Sequence, residues 1–388
     1  MEKINFVFIG RLQQEKWFDL IIELIKKLKE NNLLEKVNFF IFGSWKLELD
    51  LFYNFPELIE YVSNEPKSNS PIKFFSWVEK KTINKFLQRS HYCLMPSRFL
   101  ETFWLAALEA VNYHIPVIWF KKWWLKQFII DELNISPNSN ENEVDKLYNI
   151  VYWIINNFDE SRYQNQKETS KKLSENYTFD KRFQKFTEIT NNKKNILMIS
   201  DYTSNIWWIE WYIYNVCFLL ENKWFETDFI GSQISNRIIR KFCLPFTWFN
   251  FVYYFAIKWY IRNHKPEIVW FHSVSRFLGW MGLASVNNFE WKKIFMYHDL
   301  WYFHPFPSYI TDEKQILSFS LKNFIKMGNT KNPFKIISII LKFFSIKSIR
   351  YYIIKNIDIH LVPSEFMVPI LTKWWIPKKK ITVLPHYK

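Results

Sequence analysis

Only 6 glycines occur among 388 residues, and 20 tryptophans accompany them. Glycine permits left-handed turns, helix stops and close backbone approach, and average usage would supply about 27 in a chain this long. Together the two residue types number 26. Many of the tryptophans stand where glycine makes backbone sense: after a strand and opening a helix, ahead of a helix stop, or paired at a turn. The expectation is that most are UGA codons for glycine, as in bacterial lineages that reassign UGA, written out under the wrong code. The segment from Gly10 to Asp19 then reads G-R-L-Q-Q-E-K-G-F-D, and that from Glu101 to Glu109 reads E-T-F-G-L-A-A-L-E. Trp77, Trp153, Trp248, Trp259 and Trp270 stay ambiguous. A tryptophan-rich structural or carbohydrate-binding chain is the alternative, and it leaves the glycine deficit unexplained.

Length suits two domains of nearly equal size, expected at 1–190 and 191–388. Cys93, Cys217 and Cys243 form no spacing pattern, so neither a disulfide framework nor a zinc cluster is implied. With cysteines so placed, a reducing cytoplasm is the expected compartment; no signal peptide is expected either, as Met1–Glu2–Lys3 runs straight into the β-like stretch Ile4–Ile9. The uncharged run Phe242–Ile257 contains Pro245 and is shorter than a membrane span. The net charge of +15 is lopsided. Residues 1–190 carry 26 Lys/Arg against 25 Asp/Glu, whereas residues 191–388 carry 26 against 12. From Lys314 to Lys355 there are nine basic residues and no acid. That half calls for an anionic neighbour, either a membrane face or a phosphate-bearing ligand, unless it is simply a solvated basic surface. No nucleic-acid module is visible, so nucleic acid is not an expected partner.

Both halves alternate strand-like and helix-like patterns, which predicts α/β architecture with parallel sheets. In the first half, Ile4–Ile9, Val37–Phe42, Ile72–Phe75, Tyr92–Met95 and Pro116–Phe120 read as strands. Phe18–Leu28, Thr82–Gln88 and Leu105–Val111 read as helices, and Glu143–Phe186 as closing helices. Around Thr190–Lys194 the pattern restarts. Asn195–Ser200, Phe225–Ile230, Glu267–Phe271, Lys293–Tyr297 and Ile359–Val362 read as strands, Ile209–Leu220 as a helix opened by Trp207–Trp208, and Lys314–Lys355 as helical.

Two constellations carry chemistry. Gly10 and Arg11, then Lys16 and Trp17, follow the first strand; Arg offers a planar fork and Lys a point charge suited to a diphosphate. The second runs Pro96–Ser97, then Glu101–Thr102–Phe103–Trp104–Leu105 and on to Glu109. It straddles a helix N-terminus, whose amides at Phe103, Trp104 and Leu105 would face an anion. Glu109 can accept from ribose hydroxyls, and Glu101 can reach a sugar. Glycine at 17 and 104 would let phosphate approach the backbone; indole would obstruct it.

These residues resemble the retaining GT-B glycosyltransferases of the glycosyl transferases group 1 family. The resemblance covers Ile4 to about Thr190, which looks like that family's C-terminal, nucleotide-sugar-binding lobe. It rests on V-F-I-G-R-L…K-(G), F-(G)-S-(G), M-P-S-R-x-x-E-x-F-(G)-L-x-x-L-E-A and the stretch Trp119–Ile129. It implies that Arg11 and Lys16 neutralise the diphosphate, Glu109 holds the ribose, and Glu101 contacts the donor sugar near its reacting carbon. The second half is similar to the family's N-terminal, acceptor-binding lobe. There the matches are Ile196–Glu210 with the loop residues Trp207 and Trp208, Lys265–Val269, Tyr297–His298–Asp299, Leu361–Ser364 and Ile381–Pro385. His298 would then lie at the catalytic cleft; it also reads as an ordinary structural histidine.

The expectation is therefore two Rossmann-like parallel-sheet lobes of GT-B type in permuted order. The activity implied is transfer of a sugar from a nucleotide diphosphate donor, with retention, to a glycan or lipid-linked acceptor in polysaccharide synthesis. Catalytic residues would be Glu101 and His298; no metal is implied, since no Asp-x-Asp triplet is found, and no cofactor beyond the nucleotide-sugar substrate. An anionic membrane is an expected partner, with the chain peripheral on its inner face. A circular permutant, a join of two tandem enzymes and a cut chain all account for the lobe order. A non-catalytic pair of lobes is the rival function. A Rossmann oxidoreductase ranks lower, because G-x-G-x-x-G follows neither first strand even with glycines restored.

Overall fold

The computed structural model of the chain describes residues 3–10, 18–43, 56–65, 68–76, 78–95, 105–119, 127–135, 142–201, 208–231, 251–274, 278–298, 302, 320–327 and 330–386. These fall into two compact units, one reaching Lys181 and including His386, the other running from Arg182 to Pro385. Each is an α/β unit with a parallel, Rossmann-like sheet.

The first unit runs β1 (Ile4–Ile9), α1 (Phe18–Glu30), β2 (Val37–Phe42), β3 (Val62–Ser63), β4 (Ile72–Phe75), α2 (Lys80–Leu87), β5 (Tyr92–Leu94), α3 (Leu105–Asn112), β6 (Val117–Ile118), α4 (Glu143–Asn156), α5 (Glu160–Ser174) and the start of α6 (Phe179–Thr190). Its six described strands lie in the order β3-β4-β2-β1-β5-β6, each pair parallel. Strands covered on both faces read as unbroken apolar runs, which is why Phe6, Val7, Phe8, Phe39, Phe40 and Ile41 are all buried. Phe6 stacks on Phe39 at 5.5 Å and on Tyr92 at 5.8 Å. Helix α1 forms because Leu20, Ile21, Leu24, Ile25 and Leu28 repeat on one buried face, with Asp19 at its positive end and Lys27 and Lys29 at its negative end. It stops where Asn32 turns left-handed at φ 57°. Lys27 pairs with Asp145 of α4, and side chains of Asn142 and Asp159 cap α4 and α5. The expected strand Pro116–Phe120 shortens to Val117–Ile118 plus one bridge from Trp119 to Asn134.

The second unit runs β7 (Asn195–Ser200), α7 (Trp208–Glu221), β8 (Glu226–Ile230), α8 (Phe251–His264), β9 (Ile268–Ser273), α9 (Gly279–Ala284), β10 (Lys292–Met296), α10 (Leu321–Met327), α11 (Pro333–Asn356), β11 (Ile359–Val362), α12 (Met367–Lys373) and β12 (Ile381–Val383). The described strands order as β12-β11-β10-β9-β7-β8, again all parallel. The units divide inside α6 rather than at residue 190, because the later part of that helix packs on the second sheet. Phe186 stacks on Trp270 at 4.8 Å, and Lys292 Nζ donates to the Ile189 carbonyl. The stretch expected to be helical throughout from Lys314 to Lys355 is broken before Pro333, where the Asn332 side chain accepts from the N–H groups of Phe334 and Lys335 and starts α11. Among the described residues no helix is long and apolar enough to cross a membrane.

Both sheets wind outward from an internal strand and then reverse. The first reverses between β1 and β5, the second between β7 and β9. In open parallel sheets, the carboxyl ends of the strands at such a reversal form a crevice where ligands bind.

Candidate functional site

In the first unit, that crevice is bounded by the residues after β1 and β5. Gly10 keeps its N–H on the Phe42 carbonyl at 2.9 Å. A Cβ at Gly10 would come within 3.1 Å of the Phe8 ring, so glycine suits the close approach. Residues 11–17 follow directly, and residues 96–104 follow Met95 in the same way; Arg11, Lys16, Glu101, Phe103 and Trp104 therefore lie outside the described residues. Leu105 is the first residue of α3. That helix sits on the sheet through Ala107, Leu108, Ala110 and Val111, all essentially solvent-free. Glu109 is its only acid and is paired with Lys80 of α2. Beneath it, burial pushes the Cys93 thiol up, with the Glu109 carboxylate adding to the effect. Cys93 is thus a neutral core side chain, not a nucleophile.

The second unit places His298 two residues beyond β10, 3 % exposed. Its Nε2 lies 2.9 Å from Nδ1 of His272 on β9. Burial, reinforced by the Arg182 guanidinium, lowers His298 to about 3; burial, His298 and Arg182 hold His272 well below the ordinary histidine range. Both rings are therefore neutral at pH 7, and the contact is one shared hydrogen, with one ring donating and the other accepting. The Tyr212 ring meets His298 edge-on at 5.1 Å. Arg182 donates to the Tyr212 hydroxyl, to the Leu384 carbonyl at 3.1 Å and to the Pro385 carbonyl. At the reversal itself, Asp201 directly follows β7 and accepts from Ser273 Oγ at 3.0 Å and from the Leu278 N–H at 2.9 Å. The carboxyl ends of β7, β9 and β10 thus carry one connected, solvent-poor polar cluster.

Of the residues singled out in the sequence, Glu109 and His298 are placed with their side chains. Leu105 and Trp208 are placed by backbone as the first residues of α3 and α7, and Trp207 lies outside the described residues. Sequence reasoning missed Arg182, Tyr212, Asp201 and His272 as a group. A signal for two of them was present: Asp201 and His272 are each the polar residue that ends or interrupts an apolar strand run. Among the described residues, no three His, Cys, Asp or Glu side chains gather into a possible metal site.

Residues 1–173 match the family model described as "Glycosyl transferases group 1". A protein of Klebsiella pneumoniae named "Uncharacterized 41.2 kDa protein in cps region" is 33% identical over 117 residues, which is 30% of this chain and 27% of that protein. The pneumococcal O-GlcNAc transferase GtfA, solved in complex with UDP and GlcNAc, is similar over 48% of this chain and 36% of its own, with TM-score 0.39 and 19% identity. WaaG, a glycosyltransferase involved in lipopolysaccharide biosynthesis, is similar over 45% of this chain and 43% of its own, with TM-score 0.35 and 18% identity. The matches thus span about a quarter of the curated relative and well under half of each solved chain.

Proposed function

We propose that this chain is a glycosyltransferase that moves a sugar from a nucleoside-diphosphate donor to a glycan or lipid-linked acceptor, with retention at the anomeric carbon and without a metal. One coincidence of place carries the reading. The family match falls on the first unit, and the segments that hold its motif residues Arg11, Lys16 and Glu101, themselves outside the described residues, begin in sequence just after β1 and β5, where that sheet reverses. As the bond between anomeric carbon and diphosphate breaks, negative charge gathers on the leaving group. Arg11, Lys16 and the first N–H groups of α3 stabilise it electrostatically. Glu109 binds the ribose once shared with or released from Lys80, Glu101 contacts the donor sugar, and His298 serves the acceptor side together with Trp207 and Trp208. A relative named for a cps region supports a cell-envelope polysaccharide as the acceptor. The basic second half suits an acceptor presented at the inner face of an anionic membrane.

Glycine at 17 and 104 is part of this proposal. The backbone elsewhere supports it: Trp224 and Trp375 take φ of 66° and 70°, and both side chains are more than four-fifths exposed. That left-handed conformation right after a helix is the position glycine fills most readily. The test is release of nucleoside diphosphate from a panel of nucleotide sugars, with acceptor extract, by the chain translated with glycine for UGA. Glu101→Ala should lower turnover by about 10²-fold or more. Release no faster than the protein-free background in both chains would place this protein among non-catalytic lobes, and equal turnover above it would remove Glu101 from the reaction.

A further inference from the structure

Helix α11 has two different faces along its length. Its later half is anchored: Ile346, Ile349 and Ile353 are buried, Asn356 donates to the Leu283 carbonyl at 2.9 Å, and Tyr352 stacks on Trp280 at 5.1 Å. Phe343 and Ile346 close a small core with Phe324 of α10. A second row of large apolar side chains points away from that core. Phe334, Ile337, Leu341 and Phe344 follow one another at helical spacing along one side, with Tyr351 two turns further on, and the five are 81, 53, 36, 40 and 57 % exposed. Five bulky apolar residues exposed along one side of a helix exceed what scattered surface exposure accounts for.

The charge around the row is of one sign. Lys331, Lys335, Lys347 and Lys355 are exposed on or beside α11, and Lys322 and Lys326 are exposed on the neighbouring α10. No aspartate or glutamate occurs from Lys314 to Lys355. We infer that the row from Phe334 to Tyr351 docks this protein on an anionic membrane leaflet, with the apolar side chains entering the headgroup boundary and the lysines contacting lipid phosphates. A polyanion such as nucleic acid would use the lysines but has no place for the phenylalanines. A second copy of the chain would bring the same lysines against one another. Only a surface that is apolar beneath and negative above answers both features. The helix is charged at Lys335, Lys342, Lys347, Arg350 and Lys355, so it lies on the bilayer rather than across it. This docking does not depend on the transfer reading, since it is read by binding alone.

The test is co-sedimentation of the full chain with vesicles of phosphatidylcholine containing about one-third phosphatidylglycerol, against vesicles of phosphatidylcholine alone. Binding should be at least about tenfold tighter to the anionic vesicles. Combined Phe334→Ser, Ile337→Ser and Leu341→Ser should remove about tenfold or more of that affinity with the lysines untouched. Combined Lys335→Gln, Lys347→Gln and Lys355→Gln should lower the affinity for anionic vesicles by about fivefold per lysine and leave that for phosphatidylcholine vesicles unchanged. A Leu341→Cys chain carrying an environment-sensitive fluorophore supplies a second readout, expected to shift to the blue on anionic vesicles. Vesicle binding unaltered by the serine substitutions, or a label that stays water-exposed, would overturn the inference. So would a lipid-free dimer that the serine substitutions dissociate while vesicle binding is absent.

Discussion

Trp224 and Trp375 show how much a single backbone position can say. After α7, the N–H of Phe225 reaches back to the Leu220 carbonyl at 3.1 Å; after α12, that of Ile376 reaches the Leu371 carbonyl at 3.2 Å. The same closing bond follows Asn32 and His114, at 2.8 and 2.9 Å from Leu33 and Ile115. Each pattern requires a left-handed residue at the turn. Asparagine tolerates it, whereas tryptophan sets its Cβ against the following carbonyl at a cost of about 1–2 kcal/mol. At these two sites the indole recovers little by packing, being 85 and 84 % exposed. Trp224→Gly and Trp375→Gly should therefore each raise stability by roughly 1 kcal/mol, read as a higher denaturant midpoint at unchanged slope. An unchanged or lowered midpoint would contradict the assignment of these positions to glycine.

At the scale of elements, what was readable follows from periodicity. Buried parallel strands announce themselves as apolar runs, so the main strands and α1 could be located from the sequence. Helix α8 could not: aromatic residues surround it and leave no polar stripe. The break before Pro333 was hidden because apolar and basic residues alternate on both sides of it. At the crevice of the first unit, short-range motifs named the candidate residues. Of the polar cluster of the second unit only His298 was singled out, since its contacts join residues far apart in sequence, such as Arg182 with Leu384. That cluster ties β9 to the end of β10 through His272 and His298, and β11 adds His360, lowered to about 3 by burial and Lys380. All three rings are neutral when folded, while the unfolded chain protonates them near pH 6.5. The unfolded state thus binds more protons below that pH. Stability is full above about 6.5 and falls as pH drops toward 3, by up to about 1.4 kcal/mol per pH unit for each histidine. Denaturation midpoints at pH 7, 5.5 and 4.5 check this, with chains carrying His360→Phe expected to lose less on acidification. A profile flat over that range would contradict the neutral assignment.

For the whole molecule, the division of labour follows from two sheets and one charge imbalance. Each unit has its own reversal and its own crevice, and the excess of basic residues belongs to the second alone. The first unit carries the family match; the second carries the histidine cluster and the exposed row of α11. On this account the unit ending at Lys181 binds the donor by its diphosphate, whatever the sugar. The most direct measurement is calorimetric titration of the chain, translated with glycine for UGA, with a series of nucleoside diphosphates. At least one should bind, and Arg11→Ala combined with Lys16→Ala should weaken it by about tenfold or more, or roughly 1.4 kcal/mol. No binding by any nucleoside diphosphate, or binding that the double substitution leaves unchanged, would contradict the account.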